Sequence, residues 1–260
     1  MLYGTIYGDI AGSMYEFKSV KDYNFTSVPK GSHFTDDTVM TLAIASWLMK
    51  DKSSMDVLIS EIKAFGLKYP HAGYGGMFKK WLTQDNPKPY GSWANGSAMR
   101  VSPVAWVADS LEESQKLARM SAIVTHDHPE GIKGALATND AIFLAKIGKS
   151  KKDIKKHIES NYGYDLNRKL DDIRPHYDFD VSCRGSVPES IICFLEADDF
   201  EDTIRNAVSL GGDADTQAAI AGSIASAYWE VPTNIAARSI KRLDYNLLEF
   251  FINFHERFEK

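Results

Sequence analysis

Two short stretches of the chain offer more oxygen ligands than a helix end requires. One reads His33-Phe34-Thr35-Asp36-Asp37-Thr38 ahead of VMTLAIASWL; the other reads Gly211-Gly212-Asp213-Ala214-Asp215-Thr216 ahead of QAAIAGSIASAYW. A single Asp or Thr caps a helix N-terminus, whereas each stretch presents three or more candidates. The segments that follow are too apolar, or too rich in small residues, to lie on a surface, so their heads are expected to meet inside the molecule. Carboxylates converging there without a cation would repel by roughly several kcal/mol or stay protonated. A divalent cation removes that conflict. TDDT and GGDADT contain neither Cys nor His, and all-oxygen donors suit Mg²⁺, Mn²⁺ or Ca²⁺ rather than zinc. The number of donors, with Glu16 as a further acid, suits a pair of ions about 3.5–4 Å apart. The calcium-loop pattern D-x-[DN]-x-[DN]-G is missing, which excludes an EF-hand.

Two other chemistries compete. His126-Asp127 is an HD dipeptide of the kind used by all-helical metal phosphohydrolases, although that reading leaves both aspartate clusters unexplained. Ser97 and His126 could be imagined as nucleophile and base, but G-x-S-x-G and a strand-to-helix elbow are missing.

The elements that must carry these residues read as helices, because apolar positions recur at helical spacing and strand-like alternation is almost absent. The expected fold class is all-α. Gly4, Gly8 and Gly12 fall four apart, forming a smooth ridge that Glu16 would extend by a turn. The spacing predicts helices over 38–50, 54–69, 110–124, 131–147 and 149–163. Residues 70–96 form an irregular stretch broken by a short helix at 77–82. Further helices run from Pro188 to about 197, from an Asp198 or Asp199 cap to Gly211, and from 233 onward as one helix or a pair. No internal repeat or linker interrupts the chain, so residues 1–260 read as one domain.

Composition narrows the partners. The 260 residues carry 30 Lys plus Arg against 35 Asp plus Glu, a net charge of −5, which supplies no cationic surplus for a phosphate backbone. The lysines around 149–156 read as a solvated helix face. The chain has no apolar run of about 18 residues, and its two cysteines, Cys183 and Cys193, fit neither a disulfide framework nor a zinc pair. The expectation is a soluble, cytoplasmic protein with reduced thiols, acting on neither nucleic acid nor membrane.

At these residues the sequence resembles the ADP-ribosylglycohydrolase family, which contains ADP-ribosylarginine hydrolases and the dinitrogenase reductase-activating glycohydrolase. The resemblance runs in order along nearly the whole chain: GTIYGDIAGSMYEF, HFTDDTVMTLAIASWL, GYGGMFKKWL, GSWANGSAMRVSPVAW, SAIVTHDHPEGIKGALATNDAI, and the block from SCRGSVPES to GGDADTQAAIAGSIASAYW. TDDT together with GGDADT is its specific part. It implies a compact all-α fold with a binuclear Mg²⁺ or Mn²⁺ centre, held by Thr35, Asp36, Asp37, Asp213, Asp215 and Thr216. Glu16 matches the family's acid after the glycine-rich helix, and Asp36, Asp37 and Glu16 are the implied catalytic acids. Asn95, Gly96, Ser97 and His126 match the blocks that bind ADP-ribose. The implied activity is hydrolysis of the bond joining ADP-ribose to a protein side chain. Acids at Glu16, Asp9 and Asp22 near the cleft mouth lean toward arginine as the leaving group. A non-catalytic ADP-ribose-binding or structural member of the family is the alternative.

Overall fold

A computed structural model describes residues 1–258. Fifteen helices follow one another: α1 (Tyr3–Gly12), α2 (Asp36–Asp51), α3 (Met55–Lys68), α4 (Gly76–Leu82), α5 (Gly96–Met99), α6 (Ser102–Val107), α7 (Leu111–Ile123), α8 (Pro129–Lys146), α9 (Lys151–Tyr162), α10 (Leu170–Ile173), α11 (Cys183–Glu196), α12 (Phe200–Ser209), α13 (Ala214–Tyr228), α14 (Thr233–Lys241) and α15 (Tyr245–Phe258). Among the described residues the nearest approach to a sheet is one isolated bridge, Ala94 to Ser182. The all-α expectation holds.

The helix α1 divides the interior. Tyr7 and Ala11 enter an apolar cluster built largely from α8, α11, α12 and α13, while Leu2, Ile6 and Ile10 enter a second one around α2, α3, α6 and α15. Its glycine ridge lies directly on α13: a Cβ on Gly4 would fall 2.0 Å from the Gly222 carbonyl oxygen, and one on Gly8 would fall 2.1 Å from that of Ala218. Only glycine permits this approach, which brings the end of α1 against Ala214 and Asp215 at the head of α13. The helix α2 is buried on all sides, with Val39, Met40, Leu42, Ala43, Ile44, Ala45 and Trp47 all at 0% exposure, as its unbroken apolar run requires.

Several boundaries differ from the expectation. Glu16 lies in a bend beyond the end of α1 at Gly12, so it does not extend the ridge as a helical residue. The helix α11 starts five residues before Pro188, because Ser182 caps it by accepting from the Gly185 N–H at 2.9 Å. Pro188 then sits inside the helix, where its missing N–H leaves the Arg184 carbonyl without a helical donor. The last segment is a pair, α14 and α15, and α5, α6 and α10 are short helices outside the expected set.

Candidate active site

The heads of α2 and α13 meet. One oxygen each from Asp9, Asp37 and Asp215 lies within 4.8 Å of the others, and the same holds for Glu16, Asp213 and Asp215. Asp215 belongs to both groups. Asp9 sits inside α1 at 0% exposure; its carboxylate accepts from the Thr35 backbone N–H and hydroxyl at 2.9 and 2.7 Å, the Thr38 N–H at 3.0 Å, and the Thr38 hydroxyl. It therefore braces the α2 head from the interior and is no rim acid. Sequence reading placed it at the cleft mouth; the overlooked signal was a lone acid inside a helix otherwise built from apolar and small residues.

The helix caps separate ordinary termination from the rest. Thr35 caps α2, its Oγ1 accepting from the Asp37 N–H at 3.3 Å. At α13, Asp213 occupies the cap position but makes no capping bond; its carboxylate accepts from the Asn95 side-chain amide at 2.6 Å. Thr216 donates to Asp37 Oδ2 at 3.2 Å, tying the two heads together. The other Asp37 oxygen, Oδ1, is buried without a hydrogen-bond partner among the described residues. Asp36 faces the same cleft but stands outside both close groups, beside Gly73, where a Cβ would fall 2.9 Å from its Oδ1. Gly73 has φ +114, a conformation only glycine adopts readily.

Electrostatically the acids oppose one another. Burial, then the charges of Asp215 and Asp9, raise Asp36 and Asp37 well above the usual carboxylate range. Burial, followed by Asp213, does the same to Asp215. Glu16 is pushed up to about 8 by burial, Asp215 and Asp9. Asp213 rises less, to about 6, because the Asn95 amide counters its burial. An orphaned buried oxygen amid all-oxygen donors that repel one another fits divalent cations.

These acids form one wall of a cavity of about 370 Å³, within the size range of small-molecule sites. Gly96, His126 and Tyr90 line another part of it, and Phe17 and Phe179 stand at its edge with rings 6.0 Å apart, 81% and 50% exposed. That aromatic pair, from positions 162 residues apart, has no signature in the sequence. Ser97 is not brought to the cavity: it is fully buried and donates to the Gly131 carbonyl at 2.7 Å, so it cannot pair with His126 as a nucleophile. The HD pair also diverges, since Asp127 is exposed and accepts from the Gly91 N–H at 2.7 Å while His126 is buried and turned toward the cavity. A larger hollow of about 750 Å³ between Trp106, Lys146 and Trp229 has no convergent set of acids.

The all-helical fold thus brings two acid-headed helices together at a ligand-sized cleft. The chain belongs to the ADP-ribosylglycohydrolase family, whose profile matches residues 1–259. It is 29% identical to human ADP-ribosylhydrolase ARH3, across 93% of this chain and 92% of that protein. It is 30% identical to the mouse ADP-ribosylhydrolase ARH3, across 88% and 82%. Among solved structures it resembles a chain of an "ADP-ribosylglycohydrolase-related protein complex", with TM-score 0.73 and 21% identity over 97% of this chain and 94% of that one, a likeness of fold. Among the described residues no helix is long and apolar enough to cross a membrane.

Proposed function

We propose that the cleft binds two divalent cations, Mg²⁺ or Mn²⁺, and hydrolyses the bond between the anomeric carbon of ADP-ribose and a protein side chain. The observation that carries this reading is Asp37 Oδ1, buried without a partner between acids that raise one another's proton affinity. Asp37, Asp215, Thr35 and Thr216 would hold one ion, and Glu16, Asp213 and Asp215 the other, with Asp36 adjoining. Bound ions supply positive charge for the ribose hydroxyls and lower the pKa of a water.

The chain's own residues account for the remainder. Asp36, standing apart from the two close groups, orients the attacking water and accepts its proton, with Asp37 and Glu16 as the neighbouring acids. Positive charge growing at the anomeric carbon is stabilised by the carboxylate wall. Gly96 keeps the opposite wall low, and a Cβ there would fall 3.1 Å from His126 Nε2. Asn95 contributes through Asp213, which its amide holds in place; Ser97 contributes by securing the first turn of α8 at Gly131.

Arginine is the leaving group we place first. Glu16 lies at the cleft and the exposed rings of Phe17 and Phe179 flank it; a planar guanidinium stacks on such faces and pairs with a carboxylate. The test is release of ADP-ribose from arginine-, serine- and acetyl-linked substrates with Mg²⁺ or Mn²⁺. Cleavage of the arginine-linked substrate is expected. Cleavage confined to the serine-linked one overturns the arginine assignment, and no metal-dependent release from any of the three overturns the whole reading.

A further inference from the structure

His126 faces the cleft with a ring whose orientation is set from behind. Its Nδ1 lies 2.7 Å from Thr125 Oγ1, and that hydroxyl also accepts from Arg100 Nη2 at 2.8 Å. All three side chains are interior: Arg100 is 1% exposed, Thr125 0% and His126 4%. Among the described residues Arg100 makes no ion pair with a carboxylate. Its Nη2 also donates to the Ser121 carbonyl at 2.7 Å, and its Nε is buried without a bond. A buried guanidinium spending its contacts on neutral oxygens is costly, so the arrangement calls for an account.

We infer that Arg100 and Thr125 are positioning residues that hold His126 as the neutral Nε2–H tautomer and present that N–H to the bound ADP-ribosyl group. The inference rests on reading the cleft as the ADP-ribose site. A threonine hydroxyl has one hydrogen. With Arg100 donating to Oγ1, that hydrogen has Nδ1 as its short-range acceptor, so Nδ1 carries no proton and the neutral ring keeps its proton on Nε2. Burial and the Arg100 charge push His126 well below its ordinary range, in the same direction. Among the described residues Nε2 makes no hydrogen bond. It points to the wall at Gly96, where a Cβ would lie 3.1 Å away, and is free to donate to a ligand atom. In sequence, Thr125-His126 is adjacent but Arg100 is remote, so the relay is visible only in the fold.

The test uses the full chain with histidine labelled in ¹⁵N, the His126 signals being assigned from their loss in His126→Gln. Long-range ¹H–¹⁵N spectra should show a protonated Nε2 and an unprotonated Nδ1 before any ligand is added. Thr125→Val keeps the shape and removes the hydroxyl. It should mix the tautomers and weaken ADP-ribose binding about tenfold, raising KM more than it lowers kcat. Thr125→Ser should restore both the spectrum and the affinity. A proton on Nδ1 in the unsubstituted protein, or full affinity in a folded Thr125→Val variant, overturns the inference. Failure of the unsubstituted protein to bind ADP-ribose would instead overturn the reading of the cleft, leaving the tautomer measurement to stand by itself.

Discussion

Asp140 and Asp37 are buried carboxylates, at 0% and 2% exposure, in the same helical interior. Around Asp140 four side chains converge: Gln115 at 2.7 Å, Asn139 at 3.2 Å, Tyr162 at 2.6 Å and His157 Nε2 at 2.8 Å. Three reach Oδ2 and Asn139 reaches Oδ1, so both oxygens have donors, drawn from α7, α8 and α9, and the group joins those helices. Asp37 has one oxygen reached by the threonines and one reached by none, and its nearest charged neighbours are acids. A carboxylate that serves the fold is surrounded by donors, whereas one left short of donors among like charges awaits a cation. Burial alone distinguishes neither.

The comparison breaks most visibly under substitution. Asp215→Asn should cut metal-dependent ADP-ribose release by roughly a thousandfold, while the metal-free protein melts no lower than the parent because one repelling charge is gone. A lowered melting point would make Asp215 a structural acid like Asp140. Asp140→Ala should behave in the opposite way. It strands the donors of Gln115, Tyr162 and His157, and urea unfolding should show a loss of about 2–4 kcal/mol with metal dependence retained.

Gly8→Ala probes how the acids are brought together. The added methyl group would fall 2.1 Å from a backbone carbonyl, so overpacking should cost about 1–3 kcal/mol in urea unfolding. Metal affinity should fall with stability, since α1 carries Asp9 to the heads of α2 and α13. Unchanged affinity would detach the ridge from the site.

The smallest effect is in pH. Glu16 rises from 4.5 to about 8 in the fold, and Asp213 from 3.8 to about 6. Raised carboxyl values favour the protonated folded state, so this contribution is complete below the unfolded values and is lost as pH rises through about 6 and then 8. The melting temperature of the metal-free protein should therefore fall between pH 5 and 8, and millimolar Mn²⁺ should flatten the decline. A metal-free profile that rises over that interval would contradict the repulsion.

Much of this was legible in the sequence, for identifiable reasons. TDDT and GGDADT stood out because polar residues headed segments too apolar or too small-sided for a surface, and Gly4, Gly8 and Gly12 marked the close approach to α13. The burial of Asp9 leaves no mark on its own stretch of sequence, because the donors that hold it, Thr35 and Thr38, come from α2 and its cap. Pro188 resembles a helix start because proline suits a first turn, whereas Ser182 caps the helix a turn and more earlier. The Arg100–Thr125–His126 chain and the Phe17–Phe179 pair depend on long-range packing, and spacing along the chain carries no trace of either.

The most direct test of the central claim is a calorimetric titration of the metal-free protein with Mn²⁺ and with Mg²⁺ near pH 8, combined with elemental analysis after dialysis. Two all-oxygen sites predict up to two ions per chain, a raised melting temperature by mass action on the folded state, and loss of binding in Asp215→Ala. Tight stoichiometric zinc without any response to Mg²⁺ or Mn²⁺, or no heat and no thermal shift at saturating metal, would contradict it.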